Sequence, residues 1–65
     1  MLYNLKIEMI KSGVEINDIA KAVGQHRNTV ADKISGKRSF SINEAKIIKD
    51  TFFQNQTIEY LFSNV

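Results

Sequence analysis

Twenty-three residues, Ile16 to Arg38, hold two apolar stripes of helical period on either side of Gly24, and they dictate what the chain can fold into. Before the glycine, Ile16, Ile19, Ala20 and Val23 recur at i, i+3, i+4 and i+7, one face of an α-helix. After it, Val30 and Ile34 lie four apart and point the same way, toward the first helix. At about 100° per residue from Val30, Asn28 and Asp32 fall on the opposite face, and Arg27 projects from the leading end. The pattern is two short helices joined by a tight turn. The second is anchored by two apolar residues and holds hydrogen-bonding groups outward, a helix-turn-helix arrangement.

The remaining chain continues in the same period. Residues 2 to 12 read as a first helix with two stripes, Leu2, Leu5 and Met9 on one and Tyr3, Ile7 and Ile10 about 130° away on the other. A surface helix needs one stripe for the core, so the surplus means deep burial or a second contact surface. Gly13 and Gly36 stand where the first and third helices should stop, as Gly24 does for the second. After Gly36, Lys37, Arg38 and Ser39 form a basic loop in which Phe40 is a plug into the core. Ser41 and Glu44 have the Ser-x-x-Glu spacing of a capping box and open a fourth helix. There Ile42, Ala45, Ile48 and Phe52 are spaced as a core stripe, with Ile47 and Phe53 left over. Residues 54 to 56 are a polar connection, and Thr57 caps a last short helix in which Ile58, Leu61 and Phe62 share a face. The sequence holds no proline, no repeat and no alternating strand pattern. It predicts an all-α chain of five helices around one core, a single domain over residues 1 to 65.

The order Asp18-Ile19-Ala20, Gly24, Arg27-Asn28-Thr29-Val30 and Ile34-Ser35-Gly36-Lys37-Arg38 resembles the Cro/CI-type (XRE-like) helix-turn-helix of phage and bacterial repressors. The likeness runs on through residues 40 to 45 and Ile48, most of the chain. It implies a five-helix, lambda-repressor-like DNA-binding domain with the helix-turn-helix at its centre and the second helix of the pair in the major groove. The chain departs from the family at two places. Ile16 stands where the family usually has a phosphate-contacting Gln, and Glu15 where it has a Ser or Thr cap.

Composition narrows the function classes. Sixty-five residues lie near the lower end of what folds unaided, with no Cys to cross-link them. Absence of Cys also removes thiolate metal sites and thiol catalysis and fits a reducing, cytoplasmic setting. No stretch approaches the roughly 18 uncharged residues of a membrane span, so no membrane partner is expected. Lys6, Glu8 and Lys11 break up the N-terminal apolar residues and argue against a signal peptide. Net charge is only +2, but Lys21, Arg27, Lys33, Lys37 and Arg38 face a single anion, Asp32, between residues 21 and 38. That segment carries +4 and the remainder −2. Such focusing suits a surface that meets phosphates.

Arg27 and Asn28 are the candidates for reading bases. Arg can fork onto guanine O6 and N7, and Asn onto adenine N6 and N7. Asp32, one turn on, can accept from a cytosine amino group or pair with Arg27 or Asn28 and orient them. Ala31 can touch a thymine methyl. Thr29, Lys33, Lys37 and Arg38, with Gln25 and His26 ahead of the helix, are candidates for the DNA backbone, where contacts set register but carry no sequence information. His26 matches the place where the family caps this helix. A lone His and no Gly-rich loop leave no nucleophile–base pair, so neither catalysis nor a cofactor or metal is expected.

With no further domain in the sequence to make an oligomer, a weak homodimer is expected through the C-terminal helices, where Ile47, Phe53, Tyr60 and Val65 are surplus apolar groups. The spare stripe on the first helix is the alternative surface. The rival reading is an interaction module whose partner is another protein, such as an antirepressor or a repressor. RNA binding is a lesser possibility, because no stacking aromatics accompany the basic stretch.

Overall fold

The computed structural model describes residues 1–63. Five helices follow one another: α1 (Tyr3–Ser12), α2 (Ile16–Val23), α3 (Arg27–Ser35), α4 (Ile42–Phe52) and α5 (Ile58–Leu61). No strand occurs among the described residues. Leu5, Ile19, Val30, Ile48 and Leu61, one from each helix, are fully buried and meet at the centre. Because each helix contributes a whole side chain to the same cluster, none of these short helices is stable alone; packing, not propensity, holds them. α2 packs on both α3 and α4, and α1 on α5.

The helix ends follow the side chains at the boundaries. Gly24 turns the chain out of α2 with φ 69°, a left-handed conformation that an L side chain adopts only with strain. His26 then caps α3, its Nδ1 accepting from the Asn28 N–H at 3.1 Å. Ser41 and Glu44 form the expected reciprocal box at 3.1 and 2.9 Å, and Thr57 Oγ1 accepts from the Tyr60 N–H at 3.0 Å. At α2 the poor cap Glu15 is compensated from within the helix, because the Asp18 carboxylate reaches back to the Glu15 N–H at 2.9 Å. The start of α1 is tied to the end of α3 by the Leu2 N–H donating to the Ile34 carbonyl at 2.9 Å.

Two assignments on α4 are corrected. Ile42 is 78% exposed, not core, whereas Phe53 is buried at 4%. Ile42 occupies the first position of α4, at the rim of the molecule. Phe53 lies one residue past the helix, where a backbone at φ −133°, ψ 53° no longer obeys helical period and swings the ring inward. Phe40 is the plug expected, packed on the core with its ring edge-on to Phe62 at 5.4 Å.

The two stripes of α1 separate cleanly. Leu2, Leu5 and Met9 are buried, while Tyr3, Ile7 and Ile10 are 58%, 47% and 73% exposed. Between the buried groups lies Glu8, a carboxylate that periodicity did not place inside. It is satisfied by the Tyr60 hydroxyl at 2.9 Å and Gln56 Nε2 at 3.4 Å, with Lys11 3.7 Å away at the surface. Asn4 donates to the Tyr60 carbonyl at 2.9 Å, so polar bonds fasten α1 to α5 beside the core. Donating to Glu8 raises the Tyr60 phenol above its ordinary pKa, with desolvation adding to the effect.

Candidate nucleic-acid interface

The outer side of α3 follows from what its inner side buries. Val30 is fully buried and Ile34 nearly so, which fixes the helix's rotation. Arg27 and Asn28 consequently stand exposed at its leading end, with Ala31 and Asp32 half-buried one turn later. Among the described residues, Asp32 makes no ion pair with Arg27 and no hydrogen bond with Asn28. The carboxylate is not spent on orienting its neighbours. Its backbone carbonyl is heavily used, accepting from the N–H groups of Gly36, Lys37 and Arg38 at 3.1, 2.9 and 3.3 Å and from the Ser35 hydroxyl at 3.0 Å. That knot holds the basic loop against the end of α3, with Lys37 and Arg38 exposed. Gly36 carries φ 99° there, a conformation that L side chains rarely adopt, and a Cβ on it would come within 3.3 Å of the Met1 nitrogen.

His26 is exposed and Thr29 half-buried on the same end of α3. Beside them, Asn17 and Lys21 of α2 border a shallow depression that Gly24, His26 and Arg27 also line. Lys21 belongs to the basic segment and Asn17 to no sequence candidate; the structure places both beside the leading end of α3. Their i, i+4 spacing on α2 was the available signal.

Two sequence candidates are placed differently. Lys33 does not project from the surface: its side chain is only 11% exposed, and its ammonium donates to both Glu44 oxygens at 2.9 and 3.0 Å and to Gln25 Oε1 at 3.0 Å. Gln25 in turn donates through Nε2 to Glu44 Oε2. Lys33 also lies 5.8 Å above the Phe40 ring. The Lys33 ammonium is thereby occupied inside the protein, and the Gln25 amide is engaged by Glu44 while the residue still lines the depression beside His26 and Arg27. Periodicity could not reveal this, because the partners are 11 and 19 residues apart in sequence and meet only after α4 packs. Glu44, read from sequence as one half of a capping box, is the hub that joins α3, α4 and the turn between α2 and α3.

This hub has a pH signature. Burial alone would raise the Glu44 carboxyl, but hydrogen bonds from Lys33, the Ser41 N–H and Gln25, with the Lys33 charge, outweigh it and hold the group below its ordinary 4.5. A depressed carboxylate stabilises the folded state above the unfolded value, and that contribution disappears as pH falls through the folded value. Glu44→Gln should therefore flatten the acid limb of a melting-temperature profile below 4.5 relative to the parent chain. Parallel profiles would mean the hub contributes nothing to acid sensitivity.

No helix is long and apolar enough to cross a membrane, and no cluster of metal-ligating side chains occurs among the described residues. Two of the surplus apolar groups of the C-terminal third are taken up by the protein itself: Phe53 is buried, and Tyr60 is half-buried and bonded to Glu8. Ile47 remains 41% exposed, and Val65 lies outside the described residues. The larger exposed apolar surface belongs to α1. No family model, curated protein or solved structure matches this chain.

Proposed function

We propose that the chain is a sequence-specific, double-stranded DNA-binding regulator, a Cro/CI-like repressor of lambda-repressor-like fold whose α3 enters the major groove. The observation that carries this reading is the face of α3 formed by Arg27, Asn28 and Asp32, anchored from behind by Val30 and Ile34 and left unoccupied by the protein's own described side chains. A helix presented in this way fits a groove about 12 Å wide, and the side chains at its leading end have the donor and acceptor sets that base edges require. The exposed cations Lys37 and Arg38 beyond it, and Lys21 before it, supply the charge that draws a phosphate backbone. The reading assigns no reaction, no metal and no cofactor to the chain. Recognition of a full operator calls for two copies on half-sites about one turn apart. Among the surplus apolar groups of the C-terminal helices, Ile47 is the one exposed within the described residues and available to join them.

Selection from random duplexes at two salt concentrations tests the proposal directly. A preferred site should emerge, and log affinity should fall with log salt at about −0.9 per phosphate neutralised. On that site Arg27→Ala or Asn28→Ala should each cost roughly 1–3 kcal/mol and relax the choice at one base pair. Retained discrimination in both variants would remove the assignment of these two residues. Lys37→Ala should weaken all sequences alike and flatten the salt slope by about one unit. An unchanged slope would place Lys37 away from the backbone. Failure to bind any duplex at low salt would end the DNA reading altogether.

A further inference from the structure

A groove of about 440 Å³ runs between α1 and α3, lined among others by Lys6, Ile10, Val14, Ile16, Arg27 and Ala31. Ile10, 73% exposed, forms one lip. Behind it, Ile7 and Tyr3 extend the apolar surface along α1 at the three-and-four spacing that a helix presents to a partner helix. The core makes no use of these three side chains, and an apolar stripe adjoining a groove marks an interaction surface.

Charge identifies the occupant. Of the charged side chains lining the groove, Lys6 and Arg27 are exposed, against Glu15 at one end. The one carboxylate of α1, Glu8, is turned inward to Tyr60. A second copy is a poor match, because pairing two α1 helices about Ile7 sets Lys6 against its own counterpart, and like charges across an interface repel. We propose that the groove receives an acidic amphipathic helix from another protein, its apolar side on Ile10, Val14 and Ile16 and its carboxylates facing Lys6 and Arg27. Because Arg27 and Ala31 belong to both the groove and the face assigned to bases, an occupied groove withdraws them from DNA. The binding site stands on geometry and charge alone; the competition with DNA rests on the function proposed above.

The test titrates the isotope-labelled chain with a synthetic helical peptide carrying leucines at three-and-four spacing and glutamates along both flanks. A second peptide has lysine for every glutamate. The glutamate peptide should shift the amides of Lys6, Ile10, Ile16 and Ala31 and the Arg27 side chain, and bind roughly tenfold or more tightly than the lysine peptide. Ile10→Ser should lose a similar factor with the rest of the spectrum unchanged. Equal affinity for both peptides, no binding of either, or shifts at these residues on diluting the protein alone would overturn the site, the last by showing that a second copy fills it. In a parallel titration the glutamate peptide should displace the selected duplex. Peptide and duplex bound together would overturn the competition, whereas a chain that takes the peptide but no duplex at all would refute the DNA reading and leave the groove standing.

Discussion

Ile19→Ala is expected to leave a large fraction of the protein unfolded at room temperature. Ile19 is fully buried at the junction where α2 meets α3 and α4, so the lost methyl groups leave a hole that three helices must share. Truncations of this kind cost about 2–5 kcal/mol. A chain of this length has roughly 3–10 kcal/mol in total, and no disulfide supplements it. The loss is therefore comparable with the whole stability. Chemical denaturation followed by circular dichroism should show the midpoint falling steeply, while Ile19→Val, at about 0.5–1.5 kcal/mol, remains folded. Duplex binding by Ile19→Ala should weaken only through the folded fraction and recover on cooling toward the temperature of maximum stability. A variant as stable as the parent would mean that α2 is not held by this contact.

The sequence's legibility divides along a physical line. Everything governed by near neighbours could be read: the stripes of α2 and α3, the caps at His26, Ser41 and Thr57, and the turn at Gly24 depend on residues within about one helical turn. Val30 and Ile34 were legible because two apolar groups four apart in a polar helix admit one inward face. Periodicity failed where the helix itself stops or where polar groups are buried. Phe53 lies past the end of α4, beyond the reach of any helical rule, and Ile42 sits at the opposite end, where the same rule counts a turn that the core does not extend to cover. Glu8 and Lys33 were missed for a shared reason. Each is charged, hence expected outside, and each is kept inside by partners from a distant helix that no local pattern announces. The same limit hid the use of α1's second stripe, since periodicity finds an apolar face without saying whether the protein or a partner covers it.

Lys33→Met is the variant that separates a strut from a phosphate contact. If the ammonium holds α3 to Glu44 and Gln25, removing it leaves a carboxylate only 16% exposed without its countercharge. Breaking such a pair costs about 3–5 kcal/mol when burial is complete, and the partial exposure here brings the loss below that range, to about 1–3 kcal/mol. The companion change Glu44→Gln removes the stranded charge while keeping an oxygen for the Ser41 N–H, so the double variant should regain most of the loss, as replacing both members of a buried pair commonly does. DNA binding supplies the opposing readout. A lysine on a phosphate contributes about 0.9 to the salt slope, and a lysine inside the protein contributes nothing. Lys33→Met should therefore lower the melting temperature sharply and leave the slope of the folded protein unchanged, the reverse of Lys37→Ala. A flattened slope with undiminished stability would return Lys33 to the DNA surface. It would also mean that Glu44 is not what braces α3, and the orientation of Arg27 and Asn28 would then rest on Val30 and Ile34 alone.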